Sequence, residues 1–205
     1  MAEEFGFGKI TDLGFENEKK GIVPSKKWKK RVIKEKWYGG ETLINAIGQG
    51  YVLTTPLQLA VMTARIASNG KKIKPTIFEH IEKVKFEEIG IRSEDIKLIN
   101  KSMFKVVNEI KGTAYKSRSK VYSFSGKTGT SQVKKITIEE RESEEFRKKE
   151  LEWKNIDHAL FVGYMPSEKP KYAIAVVIEH GGSGSATAAP IAKNVFDFLH
   201  QVVIS

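Results

Sequence analysis

The spacing of polar and apolar positions changes several times along the chain, and each change marks an expected element. At Thr54-Thr55-Pro56 irregular spacing gives way to a helical one. A threonine cap and a proline at the first helical position lead into Leu57, Ala60, Val61, Ala64 and Ala67 on one face, with Gly70 as the stop. A second helix is expected from Ser93, capped there, with Glu94 and Asp95 in the first turn where the helix dipole favours acids. It would bury Ile96, Ile99, Met103, Val107 and Ile110 and end at Gly112. From Val121 the pattern becomes strand-like, and it recurs at Ala159 to Met165 and at Tyr172 to Glu179, with Pro166 to Pro170 as a hairpin turn. After His180-Gly181-Gly182-Ser183-Gly184, a last helix places Ile191, Val195, Phe198 and Val202 at i, i+4, i+7 and i+11, a stripe expected to pack on the sheet.

Two stretches lack such periodicity. Residues 1–53 are rich in Gly and Lys, carry Trp28, Trp37 and Tyr38, and read as irregular. Residues 134–157 hold seven basic and eight acidic side chains, with Phe146, Leu151 and Trp153 as late apolar positions, and read as an exposed, partly helical excursion. The expected organisation is a basic loop-rich segment 1–53, a helical part 54–112, and a sheet with a C-terminal helix over 120–205, interrupted by the charged insertion 134–157. The fold class is α/β (α+β), an antiparallel sheet flanked by helices.

Composition narrows this picture. An apolar fraction of 40% in 205 residues supports a real core, and 29% charged residues with 6 Pro and 17 Gly exclude fibrous or disordered chains. The longest apolar runs, such as Tyr172 to Ile178, fall far short of the roughly 20 residues that span a bilayer. The opening MAEEFGFGKI shows no basic and apolar leader, so the polypeptide itself is expected to be soluble. With no cysteine, disulfides, thiolate metal sites and a cysteine nucleophile are excluded. The net charge of +10 is concentrated between Lys19 and Lys36, where nine basic residues and Glu35 give +8. A solvated loop is the simplest reading, and contact with an acidic partner or anionic wall is the alternative. No nucleic-acid motif accompanies Trp28 and Trp37, so no nucleic acid is expected. His158 and His180 show no ligand spacing with acids; they are expected to make local hydrogen bonds, with no metal or cofactor.

The chemistry gathers in Ser125-Gly126-Lys127-Thr128-Gly129-Thr130-Ser131, on an expected strand. This set suits acyl transfer from a substrate that ends in a carboxylate. On a strand Lys127 and Gly129 point to one face, Thr128 and Thr130 to the other. A lysine lends positive charge beside a serine nucleophile and shuttles its proton, and threonine hydroxyls donate to a carboxylate. Gly129 leaves room for a substrate backbone to lie along the strand, and the Thr130 N–H supplies half of an oxyanion hole.

With Glu4-Phe5-Gly6-Phe7-Gly8, Gly48-Gln49-Gly50-Tyr51, Thr55-Pro56-Leu57-Gln58-Leu59, Gly112-Thr113-Ala114, Phe161-Val162-Gly163-Tyr164-Met165-Pro166 and Glu179-His180-Gly181-Gly182 in family order, nearly the whole chain resembles the transpeptidase domain of class B penicillin-binding proteins, of the penicillin-binding protein 2 type. The resemblance implies a partial penicillin-binding/serine β-lactamase-like fold and a D-Ala-D-Ala transpeptidase that cross-links peptidoglycan and is acylated by β-lactams. It casts Lys127 and Thr130 as catalytic, and Thr128, Gly129 and Thr130 as substrate-binding. It also implies a parent protein anchored in the inner membrane with this domain in the periplasm, and the cell-elongation machinery as partner.

The family's Ser-x-x-Lys nucleophile and its second Ser-x-Asn or Ser-x-Asp motif belong before the Gly-Phe-Gly region. This chain is therefore expected to be the C-terminal portion, inactive without an upstream half. Four Ser-x-x-Lys matches occur inside it, at Ser68, Ser102, Ser117 and Ser131, against about two expected from composition. The first straddles a helix end, the second leaves its helix's apolar stripe, the third lies in a basic loop and the fourth spans opposite strand faces. Ser93-Glu94-Asp95 imitates the second motif but reads as a helix cap. The resembled sheet has five strands, of which this region supplies three, so Tyr172 to Glu179 is expected to have an open edge that invites dimerisation. The alternatives are a non-catalytic carboxylate/peptide-binding module, a serine β-lactamase-related fragment, which shares the Lys-Thr-Gly strand, and a basic nucleic-acid-binding protein favoured only by a pI of 9.5.

Overall fold

A computed structural model of the chain describes residues 1–78, 84–133 and 152–204. Helices α1 (Lys26–Val32), α2 (Gly39–Ala46), α3 (Pro56–Ala67) and α4 (Ser93–Asn108) come first, then strands β1 (Ser125–Ser131), β2 (His158–Met165) and β3 (Tyr172–Ile178), and last α5 (Ala189–Leu199). The strands form one antiparallel sheet in the order β1-β2-β3, with Lys127 opposite Val162, Thr128 opposite Phe161, and Phe161 opposite Val176.

Alternation along the strands sends side chains to two faces. On one, Ala159, Phe161 and Val176 pack with Phe124 and with Ala189, Ala192 and Phe196 around α5. On the other, Val162 and Tyr164 meet Ile66 and Ala67 of α3 and Met103 of α4. The Tyr164 hydroxyl donates to Asn100 Oδ1 at 2.7 Å, and Asn100 Nδ2 donates to the Ile66 carbonyl at 3.1 Å, so one polar chain joins β2, α4 and α3.

Helix α3 begins as expected. The Thr55 hydroxyl accepts from the Gln58 N–H and Gln58 Oε1 accepts from the Thr55 N–H, both at 3.1 Å, a reciprocal cap with Pro56 at the first position. Three expectations are corrected. Segment 1–53 is not irregular throughout. It contains α1, capped by Ser25, and α2, both short enough that no sustained periodicity marks them. Helix α4 stops at Asn108 and leaves Ile110 81% exposed, and its cap position is Arg92 rather than Ser93, with Arg92 bonded to Asp95 at 2.9 Å. In α5 the buried face is Ala189, Ala192 and Phe196, while Ile191, Val195 and Phe198, continued by Val202 in the helical turn after it, face outward. Most of the charged insertion 134–157 lies outside the described residues. Among them its end forms a short turn at Trp153–Asn155.

Candidate active site

Strand β1 lies at the edge of the sheet, with β2 on one side and no strand on the other among the described residues. Lys127 and Gly129 pair with Val162 and Leu160 on the α3 face, and Thr128 and Thr130 pair with Phe161 and Ala159 on the α5 face. The alternation expected from sequence is present. Lys127 is exposed and its ammonium donates to the Thr128 carbonyl at 2.6 Å. The Thr128 hydroxyl shares a 2.8 Å hydrogen bond with that of Thr113, in the turn after α4. The Thr130 carbonyl accepts from Gln49 Nε2 at 3.1 Å. A methyl added at Gly129 would meet only Leu160 Cβ, at 3.3 Å. Internal packing therefore makes a mild demand for glycine here, and what glycine preserves is open space beside the strand.

That space is a cavity of about 820 Å³ between β1 and the chain around α3, lined by Lys127 to Ser131, Leu160, Val177, Leu59, Met62 and the turn at Gln49. Lys127 lines it and no carboxylate does among the described residues, so the cavity favours an anion. A second cavity, of about 540 Å³, adjoins it between α2 and the end of β1.

The turn carrying Gln49 is fixed by an unusual lysine. Lys29 of α1 is 1% exposed, donates to Glu41 Oε1 of α2 at 2.6 Å, lies 3.3 Å from Glu35 Oε2, and sits 4.8 Å from the Tyr38 ring centre and 5.8 Å from that of Tyr51. A buried ammonium persists only when paired and hydrogen-bonded. The hydrogen bond to Glu41 holds the Lys29 ammonium above the usual lysine range against its desolvation, and the same bond, with the Tyr38 N–H, holds the Glu41 carboxyl below the usual glutamate range.

The serine candidates have local partners or positions of their own, and one of them, Ser131, lines the same cavity as Lys127. Ser68 Oγ donates to the carbonyls of Arg65 and Lys71 at a helix end, and Ser102 Oγ donates to the Leu98 carbonyl within α4. Ser117 is buried in a turn and Ser131 ends β1 opposite His158. No serine hydroxyl bonds Lys127 among the described residues. The histidines make the expected local bonds. His158 Nδ1 accepts the His180 N–H at 2.9 Å and His180 Nδ1 faces the Ile156 carbonyl at 2.9 Å, which ties the turn after β3 to the start of β2. Sequence reasoning assigned no role to Gln49 or Thr113, although both lie in the quoted stretches Gly48 to Tyr51 and Gly112 to Ala114.

Comparison with known proteins decides the family. The penicillin-binding protein transpeptidase domain matches residues 1–197. The chain belongs to this family. Within the penicillin-binding protein transpeptidases it is of the class B, PBP2 type. It is 37% identical, over 95% of its length and 30% of the relative's, to the peptidoglycan D,D-transpeptidase MrdA of Acinetobacter baumannii. Among solved structures, a Helicobacter pylori PBP2 in complex with MreC covers 99% of this chain at 33% identity and TM-score 0.84, using 35% of that chain. Pseudomonas aeruginosa PBP2 in complex with WCK 5153 covers 96% at 37% identity and TM-score 0.77, using 42% of that chain. The mixed helix and antiparallel sheet architecture is that of part of such a domain. The chain spans about a third of the length of the curated relatives it matches. No helix among the described residues is long and apolar enough to cross a membrane.

Proposed function

We infer that this chain forms the Lys-Thr-Gly half of a peptidoglycan D,D-transpeptidase, which cross-links wall peptides by serine acyl transfer. The observation that carries the reading is the cavity beside β1, where Lys127 supplies positive charge, no carboxylate intrudes and a strand edge lies open. The nucleophilic serine is contributed by a Ser-x-x-Lys segment outside these residues and enters beside Lys127. Its Oγ attacks the carbonyl of the penultimate D-Ala, the peptide C–N bond breaks, and the terminal D-Ala leaves as the amine with the serine's proton. An amine of a second stem peptide then attacks the acyl-serine ester and releases the serine. Lys127 lowers the cost of the alkoxide and relays the proton. The hydroxyls of Thr128 and Thr130 hold the terminal carboxylate, and the Thr130 N–H stabilises the oxyanion. β-Lactams enter by the same attack. The parent protein works in the periplasm from a membrane anchor, with the elongation machinery as partner, as MreC partners the Helicobacter pylori relative.

The test is the intact mass after excess benzylpenicillin. The 205-residue chain alone is expected to stay unmodified, and the chain joined behind the Ser-x-x-Lys half of the Acinetobacter baumannii relative to gain one penicillin, lost in Lys127→Ala. An adduct on the chain alone moves the nucleophile to Ser68 or Ser131, and an unmodified joined protein overturns the reading. The absence of a serine bonded to Lys127 among the described residues favours a second reading, a carboxylate-binding module that recognises peptide termini without acylation; it predicts binding with no mass change in either protein.

A further inference from the structure

The hydrogen bond from Gln49 to Thr130 stands where the two cavities meet. Gln49 lines both of them, and its amide nitrogen closes on the Thr130 carbonyl at 3.1 Å. On the free side of β1, that carbonyl is the acceptor an added strand's N–H would seek. Gly48 and Gly50 flank Gln49 with φ of +77° and +76°, a region open to glycine, so the turn presents Gln49 to the strand and its amide leaves by rotation about the side chain's own torsions. Asn45, at the end of α2, also lines both cavities. Its Nδ2 and Oδ1 are both inaccessible, and neither has a hydrogen-bond partner. Buried amides are normally paired, and a carboxamide, with donor and acceptor side by side, complements a peptide group.

We propose that the two cavities are one peptide groove along the free edge of β1, with Gln49 as its gate and Asn45 as its amide reader. An extended peptide displaces the Gln49 amide from the Thr130 carbonyl, replaces it with a backbone N–H of its own, and draws the enclosed Asn45 carboxamide out to pair with a peptide group nearer its N-terminus. The proposal rests on the transpeptidase reading, which puts the peptide's terminal carboxylate at the hydroxyls of Thr128 and Thr130, beside Lys127. At about 3.3 Å per residue, the four steps from Lys127 to Ser131 cover about 13 Å, so an N-acetylated tripeptide, whose cap adds a fourth unit, reaches the α2 cavity and an N-acetylated dipeptide does not.

The experiment titrates the 205-residue chain with N-acetyl-D-Ala-D-Ala and with Nα,Nε-diacetyl-L-Lys-D-Ala-D-Ala, following the backbone amides of Lys127 to Thr130 and the Asn45 side chain by NMR. Gln49→Ala is expected to bind both peptides about two- to tenfold tighter, because the free protein no longer satisfies the acceptor internally. Gln49→Met, which keeps the side chain's length and loses the donor without adding charge, shares the direction. Asn45→Leu is expected to weaken only the longer peptide, by about two- to tenfold, while its thermal midpoint does not fall, since the amide makes no bond in the free protein. Unchanged or weaker binding in both Gln49 variants overturns the gate. Equal loss for the two peptides, or none, in Asn45→Leu overturns the reader. If the wild-type chain shifts at Lys127 to Thr130 and the variants do not differ from it, the proposal falls and the transpeptidase reading stands. If neither peptide perturbs the wild type or any variant, the groove falls, and the transpeptidase reading stands or falls separately on the penicillin adduct of the joined protein.

Discussion

Gln58 is fully buried and uses its whole hydrogen-bonding capacity. Nε2 donates to the carbonyls of Lys9 at 2.7 Å and Lys20 at 2.9 Å, and Oε1 accepts from the Thr55 N–H and the Thr54 hydroxyl. One side chain thus fastens the N-terminal segment to the start of α3. Gln58→Leu, close in volume, leaves two partly buried carbonyls without donors and the Thr55 N–H without its acceptor, and is expected to lower stability by about 2–4 kcal/mol; a urea midpoint indistinguishable from wild type would refute this. Lys29 and Glu41 make the second residue-scale prediction. The carboxyl of Glu41 titrates below its ordinary value of 4.5, so its contribution is complete above that pH and is lost as pH falls through the depressed folded value. Lys29, raised above 10.5, contributes below that pH and loses its contribution as pH rises through the raised value. Acid should therefore loosen α1 from α2, read as a change in the emission of Trp28, which sits 5.3 Å from the Tyr51 ring. Glu41→Gln should flatten this acid limb, and an identical limb in the variant would exclude the pair as its cause. Lys127 to Thr130 could be read from sequence because the residue types and strand alternation are local. Gln49 could not, because its contact with Thr130 joins positions 81 apart and no spacing rule reaches that far.

At the scale of elements, what was readable divides by whether the signal is local. The start of α3 is written in Thr55, Pro56 and Gln58, and the short continuous apolar runs of β2 and β3 place their strands within a residue of the bounds expected from sequence. Helices α1 and α2 are short, and α1 carries a cluster of lysines; their anchor is the tertiary pairing of Lys29, invisible to any window. Helix α5 failed differently. It carries two apolar stripes, Ile191, Val195 and Phe198 on one side, continued by Val202 just beyond it, and Ala189, Ala192, Phe196 and Leu199 on the other, and large side chains dominate a periodicity argument. Against the sheet, close approach favours the alanines, with Phe196 filling the space between Phe124 and β2. The two phenylalanines therefore separate the assignments. Phe196→Ala should cost about 3–5 kcal/mol, while Phe198→Ala, at 60% exposed, should stay within about 0.5 kcal/mol of wild type. Equal losses in chemical denaturation would mean the helix is rotated from the face described.

Across the whole molecule, two uncovered features lie on the same half. β3 pairs with β2 on one side, and its other edge carries no strand among the described residues. Beside it α5 turns Ile191, Val195 and Phe198 outward, continued by Val202 just beyond it. An open edge and an apolar stripe are each sufficient to recruit a partner, and together they define a surface on which another strand and another helix would fit. In relatives about three times as long, the remainder of the protein is available as cover; in a solution of this chain alone, the available cover is a second copy. Self-association is therefore expected, with a sedimentation coefficient that rises with protein concentration. Salt should strengthen it, because copies carrying +10 repel one another until the charge is screened. The paired substitution Val195→Glu with Phe198→Glu should abolish it while leaving the buried Phe196 face and the thermal midpoint intact. A wild-type chain that sediments as a monomer at every concentration and salt level would show that edge and stripe are each protected within one molecule.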